Sequence, residues 1–355
     1  MITLAQLMRQ HQRELKARYQ SIMQRQHRVA MQAIMDCHTP ACGTLEYKCE
    51  SCLKRQSYYR SCGHRSCPSC QHSVNNEWLD RQRHKLLPLE YYMVTFTLPY
   101  ELRSFVWHHQ KWAYQTLFDC AVATLTEFAK KDKKMGDDIG MTGVLHTHSR
   151  ELTFHPHGHF IVPGGGLNKK LKFWQKKPGK YLFNGKALAK MFRGKFLAAM
   201  KMNGFYVPDK NPTKWIAQCQ HVGSGEPALV YLARYLYRGV VNEKNIINYD
   251  GDKVTFRYQD SDSKQWKTKT ESAVNFLWRI LQHVLPKGFR RVRDFGFLHG
   301  NAKKVLKRLQ MVLHVNLPAL ISATPTEVSC PCCGRKMMFI WFKRYQTKLA
   351  GITMR

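Results

Sequence analysis

Two Cys-x2-Cys pairs lie close together early in this 355-residue sequence. Cys49 and Cys52 form the first pair and Cys67 and Cys70 the second, with fourteen residues between the pairs. Each pair can bring two thiolates to one metal ion, and two pairs complete the tetrahedron of sulfur ligands that structural Zn²⁺ prefers. The spacing therefore predicts a four-cysteine zinc site. The alternative is a set of reduced, buried cysteines without a metal.

Other cysteines and histidines could bind a second zinc ion. Cys37 and Cys62 are the favoured pair, and the spacing leaves their partners open among Cys42, His38, His64 and His72. Near the end of the sequence, the motif Cys330-Pro-Cys332-Cys333-Gly makes half of a zinc site at most. These last cysteines either join a zinc ion through ligands that are distant in sequence, or bind none.

Basic and aromatic side chains lie between the cysteines of the first cluster. They are Arg55, Arg60 and Arg65, with Tyr58 and Tyr59 between the first two. Arginine is the side chain most suited to phosphate recognition, and its presence here predicts a zinc segment that also contacts DNA.

Histidines alternate along the segment FHPHGHFIV. Residues two apart on a strand share a face, so His157 and His159 can bind one metal ion together. On a preceding strand, either His146 or His148 can supply a third imidazole. Imidazole suits Zn, Mn, Ni or Fe, whereas Mg²⁺ would take most of its ligands from substrate oxygens. Packing alone explains four alternating histidines poorly.

Two tyrosines lie four residues apart in the predicted helix YLARYLYR, which follows a glycine turn and a proline. Tyr231 and Tyr235 therefore project from one face, whereas Tyr237 faces elsewhere. Such a pair is usually a packing feature. Beside a metal site in a basic protein, it predicts attack of a tyrosine oxygen on a DNA phosphate. Arg234 and Arg238 could hold the phosphates.

Lysine and arginine outnumber aspartate and glutamate by 57 to 24, a net charge of +33. This surplus indicates a polyanionic partner, with nucleic acid favoured over an anionic membrane. An apolar content of 44% excludes a disordered basic tail. Apolar stretches fall short of the about 18 residues of a spanning helix, and no secretory signal is visible. We therefore expect a cytoplasmic protein in a reducing compartment.

The histidines and tyrosines lie in a β-α-β-β-α-β pattern followed by a helix. This order predicts an α+β fold with a ferredoxin-like antiparallel sheet and helices on one face. The predicted strands and helices are, in chain order, Tyr91–Leu98, Glu101–Lys131, Ile139–His148, Leu152–Val162, Lys186–Met202, Thr213–Val222 and Glu226–Val240.

Four regions follow from these patterns. Residues 1–36 form a helical region, 37–87 a zinc-binding, DNA-contacting domain, 88–242 the catalytic domain, and 243–355 a C-terminal β-ribbon and helical region. The last region contains a ribbon over Asn245–Lys269 and helices over Ser272–Val284 and Asn301–Val315.

Together these motifs resemble the HUH-type (His-hydrophobic-His) rolling-circle transposases of bacterial insertion sequences, specifically the two-tyrosine group. The resemblance covers most of the chain. It includes YYRSCGHRSCPSCQ, YYMVTFTLP, HPHGHFIVPGGG, YLARYLYRGVV, FLWRILQHVLPKGFRRVRDFGFL and CPCCG. It implies an HUH endonuclease domain that nicks and transfers single-stranded DNA through 5′-phosphotyrosine intermediates, with Mg²⁺ or Mn²⁺. It also implies recognition of hairpin-bearing element ends and of target DNA.

By position, the resemblance makes His157 and His159 the metal pair and Tyr231 and Tyr235 the nucleophiles. It favours His146 over His148 as third ligand. Gly158 departs from the motif, which prefers a hydrophobic residue there. Two other functions remain open: a plasmid relaxase or replication initiator with the same chemistry, and a zinc-dependent DNA-binding protein without catalysis.

Overall fold

We analysed a computed structural model that describes residues 2–70, 78–168, 173–230, 240–260, 263–316 and 327–343. The helices are α1 (Leu4–Arg18), α2 (Arg25–Asp36), α3 (Arg103–His108), α4 (Gln110–Lys131), α5 (Gly185–Met202), α6 (Ala273–Leu281) and α7 (Lys303–Val312). The strands are β1 (Thr44–Lys48), β2 (Arg55–Tyr59), β3 (Tyr91–Thr97), β4 (Met141–His148), β5 (Phe154–Pro163), β6 (Gly165–Asn168), β7 (Phe173–Lys176), β8 (Ile216–His221), β9 (Ile246–Tyr249), β10 (Lys253–Gln259), β11 (Trp266–Ser272), β12 (Val292–Phe295) and β13 (Met338–Lys343). The predicted α+β class is confirmed.

The chain forms two compact units. One contains residues 1–74, 237–284 and 320–355, and the other contains residues 75–236 and 285–319. Within the parts of the chain that the structure describes, every helix is too short or too polar to cross a bilayer.

The second unit contains a five-stranded antiparallel sheet with the strand order β12-β4-β5-β3-β8. Its four strands β4-β5-β3-β8 have the order of a ferredoxin-like sheet, as the β-α-β-β-α-β pattern predicts. The fifth strand, β12, adds to the edge beside β4. The predicted helix over Glu101–Lys131 is divided at His109 into α3 and α4.

The two long helices of this unit cover one face of the sheet. Phe96 of β3 is fully buried and contacts Phe160 of β5 and Phe192 of α5, with ring centroids 5.9 and 4.8 Å apart. Because successive side chains of a strand alternate between faces, Thr95, His157 and His159 lie on the opposite face of the same sheet. The helix-covered core thus occupies one face, and the histidines lie on the other, where Val144 and Ile161 are also buried.

Gly158, which lies between His157 and His159 in the sequence, permits close packing on the core face of the sheet. A Cβ atom at this position would lie 2.7 Å from Leu117 Cδ2 of α4 and 3.0 Å from Phe160 Cε2. The space that a hydrophobic side chain would fill is therefore already occupied by Leu117. This explains how the chain departs from the family motif while keeping its histidines on one face.

The first unit contains α1, α2, α6 and two three-stranded sheets, β11-β10-β9 and β13-β1-β2. Trp278 of α6 stacks on Tyr19 with ring centroids 4.5 Å apart, and it contacts His27 of α2 edge-on at 5.4 Å. The predicted ribbon after Asn245 has three strands rather than two.

His27 should make this unit sensitive to acid. The ring is fully buried, and burial lowers its pKa to about 4. Its Nδ1 accepts a hydrogen bond of 3.0 Å from the Gln24 backbone N–H, which requires the unprotonated atom. The unfolded chain binds this proton near pH 6.5, whereas the folded chain does so only near pH 4.

The free energy of unfolding should therefore fall as pH drops from about 6.5 to 4, by at most about 3 kcal/mol from this residue. We expect His27→Met to lose less stability over that interval than the unmodified chain. Urea denaturation of both proteins at several pH values measures the difference, and equal pH dependence would contradict the prediction.

Candidate active site and metal centres

Three histidines converge on the face of the large sheet opposite the two long helices. His157 and His159 are two residues apart on β5, and His146 of β4 is the cross-strand partner of His157. The ring centroids lie 5.2 Å apart for His146–His157, 4.5 Å for His146–His159 and 4.9 Å for His157–His159. One nitrogen from each ring lies within 4.8 Å of the others. This spacing fits three ligands of one metal ion.

An irregularity in the pairing of β4 with β5, with one extra residue on β5, separates His146 from His148. The register with β5 shifts between these two residues, so that His146 pairs with His157 but His148 pairs with Phe154. The His148 ring is 6.4 Å from that of His146 and is not part of the three-histidine cluster. The structure therefore places His146 rather than His148 beside His157 and His159.

Neighbouring groups orient two of the rings. His157 Nδ1 donates a hydrogen bond of 2.7 Å to the backbone carbonyl of His155, which leaves its Nε2 as the lone-pair atom. His159 Nδ1 lies 2.9 Å from Thr95 Oγ1 on β3, so donation to this hydroxyl leaves Nε2 available in the same way. Contacts of this kind fix the ring orientation and tautomer of metal-binding histidines. Thr95 was not among the residues identified from sequence, although its alternation with Phe96 places it on this face.

The three rings are neutral at physiological pH. Burial lowers the pKa of His157 to about 4. Burial, and then the positive charge that His157 would carry, holds the pKa of His159 well below its usual value. Burial also lowers the pKa of His146, and the positive charges that His159 and His157 would carry lower it further. Metal binding requires unprotonated imidazole, so the cluster is ready to bind at pH 7.

The chemistry of the donors selects among metals. Within the described residues, the cluster contains three imidazoles and no carboxylate. Imidazole nitrogen suits Mn²⁺ and other transition metals, whereas Mg²⁺ prefers oxygen ligands. The residues thus fit a transition metal such as Mn²⁺ better than Mg²⁺.

Thr95→Val should weaken metal binding at this cluster by about 10- to 100-fold, because the hydroxyl that orients His159 is lost. Thr95→Ser keeps the hydroxyl and should retain wild-type affinity. Titration calorimetry of the zinc-loaded chain with Mn²⁺ measures both. Similar affinity in the Val and Ser variants would exclude a positioning role for Thr95.

An arginine lies beside the cluster. Arg103, the first residue of α3, donates a hydrogen bond to His155 Nδ1 and stacks on the Tyr100 ring at 4.9 Å. Burial, and then the positive charge of Arg103, lowers the pKa of His155 to about 4, so this ring is neutral at pH 7. The sequence alone does not identify Arg103, since its partner is 52 residues away.

The two candidate nucleophiles lie outside the described residues. Residues 226–230 are helical and agree with the start of the predicted helix. Tyr231 and Tyr235, with Arg234 and Arg238, fall in the segment 231–239, so their placement remains a prediction from sequence.

The cysteines form two groups that differ from the predicted pairing. Cys67 and Cys70 lie with Cys37 and Cys62, whereas Cys49 and Cys52 lie with Cys330 and Cys333. A single site that combines both Cys-x2-Cys pairs is therefore wrong. Cys42, His38 and His64 are in neither group.

The hairpin β1–β2 explains the difference. Cys49 and Cys52 lie in its turn, whereas Cys62, Cys67 and Cys70 follow its open end. Its five paired residues span roughly 16 Å at about 3.3 Å per residue. Zinc–sulfur bonds are about 2.3 Å long, so one ion cannot reach both ends.

The thiol geometry of each group fits a metal tetrahedron. In the first group, Cys70 Sγ lies 3.5 Å from both Cys37 Sγ and Cys62 Sγ. A zinc ion with four sulfur ligands at about 2.3 Å places the sulfurs about 3.8 Å apart. By contrast, Cys120 is buried in the helix-covered core, and burial raises the pKa of its thiol to about 12. It is an ordinary core cysteine.

Two family models match this chain. One, described as a "Transposase zinc-binding domain" of the IS91 type, matches residues 7–98, which include the first cysteine group. The other, described as a "Putative transposase" of the Y2 type, matches residues 140–305, which include all three clustered histidines.

Two curated proteins are similar over almost the whole chain. The "Putative transposase y4qJ" of Sinorhizobium fredii is 31% identical over 92% of this chain and 87% of its own length. The chain belongs to the IS91 family of insertion-sequence transposases. The "Transposase for insertion sequence element IS801" of Pseudomonas savastanoi pv. phaseolicola is 27% identical over 90% of this chain and 83% of its own length. No solved structure matches this transposase.

Proposed function

We propose that this transposase nicks single-stranded DNA at the ends of its insertion sequence and transfers the cut strand by a rolling-circle mechanism. The observation that carries the proposal is the cluster of His146, His157 and His159, with two of its rings oriented by Thr95 and the His155 carbonyl. A purely structural role would not require three neutral imidazoles to converge on the face opposite the core.

Tyr231 and Tyr235 are the proposed nucleophiles. The phenol oxygen of one tyrosine forms a bond to the DNA phosphorus, the bond from phosphorus to the 3′ oxygen breaks, and the 3′-hydroxyl leaves with a proton. The 5′-phosphotyrosine keeps the phosphodiester energy for rejoining. Two tyrosines allow two successive links. A Mn²⁺ or Mg²⁺ ion held by the three imidazoles would neutralise phosphate charge.

Charged residues elsewhere would hold the DNA. Arg55, Arg60 and Arg65 have exposed side chains in the zinc-binding domain and are proposed to contact phosphates. Arg234 and Arg238 are proposed to do the same beside the nucleophiles. Cys37, Cys62, Cys67 and Cys70 are proposed to bind a structural zinc ion that maintains this domain. The proposed substrates are single-stranded DNA, hairpin-bearing element ends and target DNA.

The direct test is incubation of the full chain with labelled single-stranded element-end DNA and Mn²⁺, followed by a denaturing gel. We expect a covalent protein–DNA adduct that protease removes. It should not form with the same sequence as a fully paired duplex. Cleavage without any covalent adduct would contradict a tyrosine nucleophile and indicate hydrolysis.

The same chemistry could serve a plasmid relaxase or replication initiator. The match to two transposases over most of the chain favours transposition. A zinc-dependent DNA-binding protein without catalysis would account for the charge and the cysteines, but would leave the three histidines without a role.

A further inference from the structure

The C-terminal Cys-Pro-Cys-Cys motif lies beside the first Cys-x2-Cys pair. Cys330 and Cys333 lie in a turn before β13, and β13 pairs with β1. Cys52 Sγ is 3.5 Å from Cys330 Sγ, and Cys49 Sγ is 3.5 Å from Cys333 Sγ. All four sulfurs lie within 4.8 Å of one another.

We propose that Cys49, Cys52, Cys330 and Cys333 bind a second structural zinc ion. The four sulfurs have the separation that a zinc tetrahedron needs, and two of the four residues are exposed. Packing cannot account for four thiols meeting where so little apolar surface is buried. Cys330 and Cys333 lie outside the part of the chain that matches the zinc-binding domain, residues 7–98.

The second zinc would join the turn of the β1–β2 hairpin to the segment that precedes β13. Its two ligand pairs are far apart in sequence. Cys52 and Cys330 are 278 positions apart, and Cys49 and Cys333 are 284 positions apart. Among the described residues, few apolar side chains are buried around these thiols, and Met337 is the main one. The small sheet β13-β1-β2 would therefore depend on the metal for the attachment of β13.

Thiol labelling of the unmodified chain tests this site. Cys52, Cys332 and Cys333 are all exposed, so packing alone would leave all three reactive. We expect N-ethylmaleimide to modify Cys332 rapidly, and Cys52 and Cys333 only after a zinc chelator is added, by mass spectrometry. Labelling of Cys52 and Cys333 as fast as Cys332 before chelation would overturn the proposal.

Zinc content gives an independent measurement. Cys330→Ser with Cys333→Ser should contain one zinc ion fewer per chain than the unmodified protein. The neighbouring change Cys332→Ser should lose none. Equal zinc content in the double variant and the unmodified protein would also overturn the site.

A second observation concerns one face of the same small sheet. Tyr47 of β1 contacts the rings of Tyr58 on β2 and Phe339 on β13, with centroids 5.8 and 5.7 Å apart. Phe342 pairs with Leu45, two residues from Tyr47, and therefore shares this face. The exposed fractions are 39% for Tyr58, 54% for Phe339 and 39% for Phe342.

The charge on this aromatic face is positive. Arg60 lies over the Phe342 ring at 4.9 Å from its centroid. The remaining positions of the face in β1 and β2 are Leu45 and Gln56, so the paired residues of this face include no acidic side chain. The one acidic residue of β1, Glu46, lies on the other face, where it accepts a hydrogen bond from Ser57.

We infer that this face binds a single-stranded stretch of DNA by stacking bases on Tyr58, Phe339 and Phe342. Exposed aromatic rings beside a guanidinium provide the stacking surface and phosphate contact that single strands require. Duplex DNA has no unstacked bases to offer. The inference rests on the proposed single-stranded substrate, and it gives the C-terminal strand a role in holding that substrate.

The test is fluorescence anisotropy of the full chain with a labelled oligothymidine that has no cleavage site and without added Mn²⁺. Phe339→Ala should weaken binding at least about fivefold, because base–aromatic stacking contributes on the order of 1–3 kcal/mol per base. Phe339→Trp should retain the affinity. Met338→Ala is the matched control, since Met338 is adjacent, 52% exposed and on the opposite face.

Unchanged binding by Phe339→Ala would overturn the stacking face while leaving the proposed nicking function intact. Failure of the unmodified chain to bind the oligonucleotide would count against the proposed function itself. If Phe339→Ala instead converted a dimer to a monomer, the occupant would be a second copy of the chain rather than DNA. Zinc content should be the same in the unmodified chain and in all three variants.

Discussion

The combined change Tyr231→Phe and Tyr235→Phe is expected to abolish the covalent protein–DNA adduct completely. Phenylalanine keeps the ring but removes the only oxygen that could attack the phosphorus, so no phosphotyrosine can form. The adduct is measured on a denaturing gel after incubation with labelled single-stranded element ends and Mn²⁺. Each single change should leave some adduct, because the other tyrosine can still act.

Tyr237→Phe is the matched control for these changes. Tyr237 lies in the same predicted helix, rotated by about 200° from Tyr235, so its hydroxyl should be dispensable. An adduct that persists in the double variant, or that disappears in Tyr237→Phe, would show that the nucleophile has been wrongly assigned.

The combined change His157→Ala and His159→Ala should reduce the rate of nicking by about a thousandfold or more. Removal of two of three ligands prevents metal binding, and the metal contributes several kcal/mol to stabilising charge at phosphorus. Affinity for single-stranded DNA should change little, because phosphate contacts by arginine do not require this site. Nicking rates and anisotropy on the same oligonucleotide measure the two effects.

His148→Ala provides the control, since His148 is next to the cluster in sequence but outside it in the structure. It should nick at nearly the normal rate. If the double histidine variant instead loses DNA affinity and zinc content together, the histidines stabilise the fold rather than bind the catalytic metal.

Local sequence patterns were sufficient for the elements that hold the histidine site. The β-branched and aromatic composition of Tyr91–Leu98 predicted β3, Leu152–Val162 was predicted as the strand that is β5, and the order of strands and helices predicted the sheet. Within a strand, residues two apart share a face. The same rule placed His157 and His159 on one face, and the structure brings them within reach of a single ion.

Residues that reach the histidine cluster from other strands and helices were harder to identify from the sequence. The choice of His146 over His148 depends on the register shift between β4 and β5, where His155 and Pro156 of β5 lie opposite a single residue of β4. Thr95 and Arg103 contact histidines 64 and 52 residues away. Sequence spacing contains no information about such separations unless the strand register is known.

The sequence alone identified the cysteines and histidines that could bind metal, the large positive charge and the β-α-β-β-α-β unit. Each of these properties depends on residue type and short spacing. Only the tertiary structure decided which cysteines meet. The rigid hairpin β1–β2 separates two Cys-x2-Cys pairs that are neighbours in sequence, and the pairing of β13 with β1 brings Cys330 and Cys333 from the far end of the chain to Cys49 and Cys52. Short metal–sulfur bonds make that distance decisive.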